Sequence, residues 1–240
     1  MLKAETIHKS FRQGTKTVHA VRDACMNVRE GERVYVHGPS GAGKSTLLQI
    51  FGGLNRPTDG MVAFRGKNIY LFSDKKRSSL RNEKFGFIFQ FYHLLPELSV
   101  LENVMLPAMI KGGLSSKDVR SHALNLLGRV GLADRVRHKP SQISGGEAQR
   151  TAIARALVNS PDILFCDEPT GNLDSRMSDQ VYALIRDISD QTGMSVVVVS
   201  HQEIIEGFSH SEYFMKDGSL EKVSYHAEAE VTQGEREIYG

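Results

Sequence analysis

A glycine-rich stretch near residue 40 matches the phosphate-binding pattern G-x-x-x-x-G-K-[S/T]. Glycines at these positions let backbone N–H groups turn inward around phosphate oxygens, where a Cβ would obstruct them. Lys44 is then placed to neutralise the outer phosphates, and the Ser45 hydroxyl to bind Mg²⁺. An apolar segment precedes the stretch and a helix-forming segment follows, so the pattern predicts a nucleotide-phosphate site. The stretch consists of Gly38, Pro39, Ser40, Gly41, Ala42, Gly43, Lys44, Ser45 and Thr46.

A second apolar segment, residues 163–166, ends in two acids, Asp167 and Glu168. As a strand of a parallel sheet it would place both carboxylates at the carboxyl edge, where such sheets bind ligands. Asp167 is then placed to hold Mg²⁺, directly or through water, and Glu168 to polarise an attacking water. Acidic residues are common where loops begin, so the two acids alone do not indicate a catalytic site. They indicate one in combination with the phosphate-binding stretch. Together the two motifs predict hydrolysis of a nucleotide.

The elements that must position these residues are strands alternating with helices. The first thirty residues have strand-like patterns, and residues 94–159 change to helical periodicity. Further strands are predicted near residues 33–37, 61–65, 85–89, 163–166 and 195–199, and helices over 44–52 and 175–191. This order predicts an α/β fold with a mainly parallel sheet, an N-terminal antiparallel β portion and a helical sub-domain over about 94–159. Strands near 212–215 and 219–223 close a domain over residues 1–223, before a polar tail over 224–240.

Composition restricts the classes of function. The chain has 240 residues, 40% of them hydrophobic, and a formal net charge of +2, which does not favour nucleic acid as a partner. The dense basic cluster Lys75-Lys76-Arg77 is interpreted as a solvated loop or helix face. Cys25 and Cys166 sit in strand-like segments and are predicted to be buried free thiols in a reducing compartment. No apolar run reaches the length of a bilayer span, so we expect a soluble, cytoplasmic protein.

The segment Ile143-Ser144-Gly145-Gly146-Glu147 resembles the signature of ABC ATPases, and it lies about twenty residues before Asp167, as in that family. From the residues alone, Ser144 and the two glycines form a helix cap suited to an anion. The resemblance implies a P-loop NTPase fold with a RecA-like sheet. It also implies a homodimer, in which this cap meets the γ-phosphate of ATP on the opposite subunit's phosphate-binding loop. The family consensus has Gln where this chain has Glu147.

The same resemblance assigns roles to four more residues. Gln90 matches the glutamine that contacts Mg²⁺ and the water, and His201 matches the switch histidine that contacts the γ-phosphate. Asp174 matches the loop that crosses the dimer interface. Phe11 matches the aromatic residue that stacks on adenine; the alternative is that it is an ordinary core aromatic. With these residues the resemblance implies in-line attack of water on the γ-phosphate of ATP.

The stretch after Gln90 looks like that of lipoprotein-releasing ABC ATPases, within the group of macrolide-exporter and cell-division ATPases. In such subunits this surface receives a membrane permease, so Phe91, Tyr92, Leu94 and Leu95 are predicted to form an apolar docking patch; the alternative is that they pack under the helical sub-domain. The resemblance implies a peripheral subunit on the cytoplasmic face of a bacterial inner membrane. Lipoprotein release is favoured, and an exporter or cell-division complex is the alternative. A soluble, non-transport ABC ATPase is less favoured. Cargo, membrane partner, transport direction and the role of the tail stay open.

Overall fold

The computed structural model describes residues 1–202 and 207–225. At its centre lies a sheet of six strands in the order β10-β9-β3-β8-β7-β6. Five of these strands are mutually parallel, and β10 pairs antiparallel with β9 at one edge. The predicted parallel sheet is therefore confirmed. The strands are β3 (Arg33–His37), β6 (Phe85–Ile88), β7 (Ile163–Asp167), β8 (Ser195–Ser200), β9 (Ser211–Lys216) and β10 (Ser219–Tyr225).

A second sheet, antiparallel and four-stranded, has the order β2-β1-β4-β5. It is built from β1 (Leu2–Gln13), β2 (Lys16–Val28), β4 (Asp59–Phe64) and the short β5 (Lys67–Asn68). The long hairpin of β1 and β2 confirms the predicted antiparallel β portion, and its register pairs Phe11 with Val18 near the turn. This pairing carries two apolar side chains to the end of the hairpin.

Side chains alternate across the central sheet, as the two-residue period of a strand requires. In β8, Val196 and Val198 pack into a core formed with the helices of one face. Val197 and Val199 pack into a second core, between the other face and the antiparallel sheet. Because both faces are covered, β8 is an unbroken run of buried residues.

The helices cover both faces of the sheet. α1 (Lys44–Phe51) begins at the phosphate-binding stretch, and α6 (Ser175–Thr192) begins at Asp174, whose carboxylate caps it. α3 (Val100–Lys111), α4 (Ser116–Arg129) and α5 (Gly145–Leu157) occupy the region of the predicted helical sub-domain. α2 (Asp74–Lys84) carries the basic cluster; Lys75 and Lys76 are exposed, as predicted for a solvated helix face, whereas the Arg77 side chain is only 18% exposed.

Several boundaries and one burial prediction need correction. The sequence predicts that the signature helix begins near Glu147, but it begins two residues earlier, at Gly145, because Ser144 caps it. Cys25 is exposed, on β2, whereas Cys166 is buried as expected. β10 extends through Tyr225, and the rest of the predicted tail, residues 226–240, lies outside the described residues. The division into residues 1–223, 94–159 and 224–240 stays a prediction.

In residues 1–202 and 207–225 we find no helix with the length and hydrophobicity needed to cross a bilayer.

Asn103, a fully buried residue of α3, organises the loop that precedes this helix. Its Oδ1 accepts the Leu95 N–H at 2.8 Å, and its Nδ2 donates to the carbonyls of Leu95, Leu98 and Ser99 at 3.0–3.1 Å. A polar side chain buried in this way holds the backbone of the loop against α3, because each lost partner would leave a backbone group unpaired.

Replacing Asn103 by Leu should lower the free energy of unfolding by about 1–3 kcal/mol, since these hydrogen bonds are lost while the volume is kept. Urea denaturation measures the change, and Asn125→Leu on the exposed side of α4 is the matched control. Equal stability of the two variants would contradict a structural role for Asn103.

Candidate nucleotide site

The phosphate-binding loop is shaped by backbone approaches that exclude side chains. Gly38 and Gly43 have φ of 150° and 104°, which L side chains rarely adopt. A Cβ at Gly38 would lie 2.0 Å from the Met215 carbonyl oxygen, and one at Gly43 would lie 2.0 Å from the Ala20 carbonyl oxygen. The loop is therefore pressed between β9 and β2, and its glycines are required by space as well as by conformation.

Lys44, the first residue of α1, is buried and turns back into its own loop. Its Nζ donates to the carbonyl oxygens of Gly38 and Pro39 at 2.8 and 3.0 Å. Burial lowers the pKa of Lys44, while the nearby carboxylates of Glu168 and Asp167 oppose that shift. A cation held in a partly dehydrated loop interacts strongly with an anion there, which suits a phosphate group.

Ser45 and Asp167 meet at the edge of the sheet. The Ser45 hydroxyl donates to Asp167 Oδ1 at 2.7 Å, joining the start of α1 to the end of β7. Burial raises the pKa of Asp167 and Glu168 adds to the rise, whereas the Ser45 hydrogen bond and Lys44 oppose it. A hydroxyl and a carboxylate side by side are hard oxygen donors, the type that Mg²⁺ prefers, so this pair fits the ion.

Glu168 has a backbone φ of 46°, unusual for a residue other than glycine. Its amide donates to the Val199 carbonyl oxygen at 2.9 Å, which fixes the turn against β8. Its Oε2 accepts the Ser200 hydroxyl at 3.0 Å and lies 2.9 Å from His201 Nδ1. The end of β8 thus orients a carboxylate and an imidazole toward each other, an arrangement suited to holding a water and moving its proton.

Gln90 follows β6 and lies beside the loop between β7 and α6. Asn172 Nδ2 donates to the Gln90 carbonyl oxygen at 2.8 Å. A Cβ at Gly171 would lie 3.1 Å from Gln90 Nε2, so this loop packs closely on the glutamine side chain. The position of Gln90 is therefore set by residues of a different functional loop.

These residues surround one open cleft of about 850 Å³. Most of the residues predicted from the sequence line it, and Asp167 is tied to it through Ser45. Phe11 lines the cleft and is 40% exposed, so it is not a core aromatic. The predicted residues that line the cleft are Phe11, Ser40, Gly41, Gly43, Lys44, Ser45, Thr46, Gln90, Glu168 and His201.

Sequence reasoning missed the part of the cleft that β2 and the turn after β9 contribute. The missed lining residues are Thr17, Val18, His19, Ala20, Arg22, Asp217 and Gly218. One signal could have found them: Val18, opposite Phe11 in the hairpin, is 45% exposed. An apolar pair left in solvent at the end of a hairpin indicates a surface for a flat ligand.

The signature residues and Asp174 do not line this cleft within the described part of the chain. Ser144 and Gly145 are exposed at the start of α5, and Asp174 is exposed at the start of α6. A Cβ at Gly146 would lie 2.1 Å from Met177 Cε, so the first turns of the two helices touch. One chain therefore carries the two groups of predicted site residues on separate surfaces.

Glu147 closes a capping box on α5. Its carboxylate accepts the Ser144 N–H at 2.8 Å, and Ser144 Oγ accepts the Glu147 N–H. Glu147 Oε1 also accepts from Arg135 Nε at 2.8 Å. The Ser144 backbone, followed by Arg135, lowers the pKa of Glu147 to about 2. The negative charge of Glu147 therefore stabilises the start of the signature helix through Ser144 and Arg135. The uncharged Gln of the family consensus would lack this charge.

Comparison with known proteins agrees with this geometry. Residues 21–171 match the ABC transporter family. The chain is 42% identical over 228 residues to the lipoprotein-releasing system ATP-binding protein LolD of Shewanella sp., covering 95% of this chain and 98% of the relative. It is 47% identical to LolD of Bdellovibrio bacteriovorus, over 90% of this chain and 98% of that one. This chain belongs to the ABC transporter family.

A solved member of the family has the same fold. The bacterial ABC transporter cassette MJ0796, solved as a dimer, is 38% identical and superposes with a TM-score of 0.86 over 92% of this chain and 98% of that chain. It has also been solved in a post-hydrolysis state bound to ADP and Pi. The chain is accordingly an ATP-binding, ATP-hydrolysing subunit of the ABC type, as its sequence predicted.

Glu147→Gln should lower stability at neutral pH by about 0.5–1 kcal/mol, the range for a partly exposed ion pair. Because the folded pKa of Glu147 is depressed to about 2, the stabilising charge is present above its unfolded value near 4.5 and is lost as pH falls toward 2. Urea denaturation at pH 7 and pH 3.5 measures this. The difference between wild type and variant should shrink at the lower pH, and an unchanged difference would contradict the assignment.

Phe11→Ala should weaken ATP binding about 5- to 150-fold, because one base–aromatic stack contributes roughly 1–3 kcal/mol. Fold stability should change less than for a core phenylalanine, since 40% of the surface of Phe11 is already exposed to solvent. Titration with a fluorescent ATP analogue measures the affinity, and Phe91→Ala, another exposed phenylalanine, is the control. Equal affinities of the two variants would remove Phe11 from the adenine site.

Proposed function

We propose that two copies of this chain bind and hydrolyse ATP between them and drive a permease that releases lipoproteins from a bacterial inner membrane. The observation that carries the proposal is the separation of the site into two groups on one chain. The cleft is lined by residues of the phosphate-binding loop and by Glu168, whereas the signature residues do not line it. A second copy, turned to face the first, would close each cleft with a signature.

In this proposal the residues of the cleft act on ATP as follows. Phe11 stacks on adenine, and the loop amides with Lys44 hold the phosphates. Glu168 polarises the attacking water, and His201 holds Glu168 on one side and meets the γ-phosphate on the other. The negative charge that develops on the phosphate is stabilised by Lys44, His201 and the opposite signature.

Magnesium would be held by the Ser45 hydroxyl, the Asp167 carboxylate and the Gln90 amide, all oxygen donors. When bound, the ion neutralises charge on the β and γ phosphates. Ser45 and Asp167 are already within hydrogen-bond distance of each other, so little rearrangement is needed to receive it. Gln90 lies in the loop after β6, so a movement of that loop would change the position of its amide relative to the ion.

A groove beside the cleft's Gln90 loop is a suitable permease dock. It has a volume of about 380 Å³ and lies between α2, β6, α3 and α5. Phe89 lines it and lies 5.4 Å from the His93 ring, so the groove is continuous with the docking segment, which we define as residues 91–95. Its larger apolar lining residues are Leu54, Phe85, Phe87, Phe89, Pro107 and Ile110.

The exposure of the docking segment fits a partner with an apolar helix face. Phe91 is 66% exposed and Leu95 43% exposed, while Tyr92 and Leu94 are half-buried. Ile110, 70% exposed, stands on the rim of the groove. An amphipathic helix laid in the groove would cover these side chains, which is a frequent mode of peptide recognition. In this proposal the chain binds the permease on the cytoplasmic face of the membrane.

The choice of cargo rests on the relatives alone. LolD proteins of two bacteria match this chain at 42% and 47% identity over at least 90% of its length, and their name states a lipoprotein-releasing system. Cargo would contact the permease, so no side chain of the nucleotide site selects it.

Glu168→Gln should keep ATP binding and lower turnover about 10²- to 10⁴-fold, the usual contribution of a general base. The amide keeps the shape of the carboxylate but cannot accept the proton of the water. Phosphate release measures turnover, and Glu97→Gln, at an exposed position, is the control. Turnover of Glu168→Gln close to that of the control would remove Glu168 from this role.

The test of the whole proposal is affinity purification of the Glu168→Gln chain from its native membranes with ATP, followed by mass spectrometry. Two further variants make it specific: Ile110→Glu on the groove, and Leu124→Glu, an exposed leucine of α4 that does not line the groove. We expect an integral membrane protein and lipoproteins with the parent and with Leu124→Glu, and their loss with Ile110→Glu.

The same membrane protein without lipoproteins would replace lipoprotein release by an exporter or cell-division role. Recovery of soluble proteins or nucleic acid alone would contradict the permease partner. Capture that survives Ile110→Glu unchanged would contradict the groove as its dock.

A further inference from the structure

Arg155, in the last turn of the signature helix α5, grips the backbone of the docking segment. Its Nη1 donates to the His93 carbonyl oxygen at 2.6 Å, and its Nη2 donates to the Tyr92 carbonyl oxygen at 2.7 Å. Two consecutive carbonyls are thus held by the two arms of one planar guanidinium, a geometry that Lys cannot reproduce.

Forming this contact costs energy on both sides, because the Arg155 charge is partly buried and the His93 backbone is strained. Burial lowers the pKa of Arg155, so its charge depends on the two carbonyl dipoles for part of its solvation. His93 has a φ of 47°, a conformation that costs energy for a residue other than glycine. A strained backbone turn persists when its surroundings hold it, and Arg155 supplies two of the bonds that do so.

The N-terminal end of α5 lies close to Tyr92, whose carbonyl is bound by Arg155 at the C-terminal end. A Cβ at Gly145, the first residue of α5, would lie 3.1 Å from the Tyr92 hydroxyl oxygen. Gly145 and Arg155 are ten positions apart in the helix, or about 15 Å along its axis. Tyr92 therefore reaches the signature end of α5 with its ring, while its carbonyl is held at the opposite end by Arg155. A rotation of α5 cannot leave Tyr92 in place without breaking one of these contacts.

Both ends of the docking segment are also held by side chains. Before it, the Gln90 carbonyl accepts from Asn172 at 2.8 Å, next to the loop that leads to Asp174. Within it, Leu95 is bound through its N–H and its carbonyl to Asn103 of α3. The docking segment is therefore held at three points. Asn172 binds the residue before it, Arg155 binds its middle, and Asn103 of α3 binds its last residue.

We propose that Arg155 is a positioning residue that makes the docking segment and the signature helix move as one body. Engagement of the signature on ATP across the dimer would then shift the docking segment, and permease docking would in turn set the signature. This inference rests on the proposed function, and it adds a specific mechanical link within each chain. Without Arg155 the ATP dimer would form, but the docking segment would not respond to it.

The chain offers a direct reporter because it contains no tryptophan. Phe91→Trp, in the Glu168→Gln background, places a single indole on the exposed part of the docking segment. Acrylamide quenching of its fluorescence is measured with and without ATP and Mg²⁺. Light scattering on the same samples follows dimer formation, and a fluorescent ATP analogue follows nucleotide binding. We expect ATP to change the quenching constant of this parent protein.

Adding Arg155→Ala should reduce that ATP-dependent change at least about fivefold while dimer formation and ATP affinity stay within about twofold, since contacts of this kind modulate coupling more than binding. Arg155→Lys, which keeps the charge and the side-chain stem, should give an intermediate response and covers the case that Arg155→Ala fails to fold. Arg120→Ala, an exposed arginine of α4, is the matched control and should respond as the parent does.

A full response to ATP in both Arg155 variants would overturn the proposal. So would a parent whose dimer forms with ATP without any change in quenching. Loss of dimer formation or ATP binding in the parent would instead count against the proposed function, so the two failures are told apart within one set of samples.

Discussion

Register across three neighbouring strands fixes the chemistry of this protein. Val36 of β3 and Asp167 of β7 both pair with Val199 of β8, so the three strands end in one row. β3 and β7 are then two strand spacings apart, roughly 10 Å. The loop after β3 leads to α1, and Ser45 of α1 reaches across β8 to Asp167 of β7 with a hydrogen bond of 2.7 Å. A slip of one residue in any of these pairings would turn the functional side chains to the wrong face. The phosphate-binding loop, the two carboxylates and His201 lie at or directly after the ends of these three strands.

The same chain holds its second group of functional residues at a distance from that row. The signature begins a helix whose cap is made from Ser144 and Glu147, and Gly146 packs that helix against the start of α6. In the proposed dimer, a site divided in this way would gain its full set of charges when two copies meet, and ATP would become part of the interface. By this proposal, binding energy from the nucleotide would move the helical layer, and with it the docking segment, relative to the sheet.

Much of this arrangement was predictable because its signals are local. The P-loop glycines, the acids after β7 and the histidine after β8 each follow an apolar strand, and parallel strands bring their carboxyl ends together. Other features depend on tertiary contact and leave little trace in the sequence. The predicted burial of Cys25 was wrong because β2 is a long strand with an exposed face. Asn103 and Arg155 look ordinary in the sequence, since their partners are backbone carbonyls of a loop. The contribution of β2 to the cleft required knowledge of the hairpin register.

In the proposed dimer, one copy's signature completes the other copy's nucleotide site. The most direct measurement is the ATPase activity of a mixture of two inactive variants, Lys44→Ala and Ser144→Arg. Each variant alone forms dimers in which both sites are damaged. In a mixed dimer, the intact phosphate loop of one copy faces the intact signature of the other, so the account predicts that mixing restores turnover. A mixture as inactive as its components, in which Ser144→Arg still binds ATP and the two variants still associate, would contradict it.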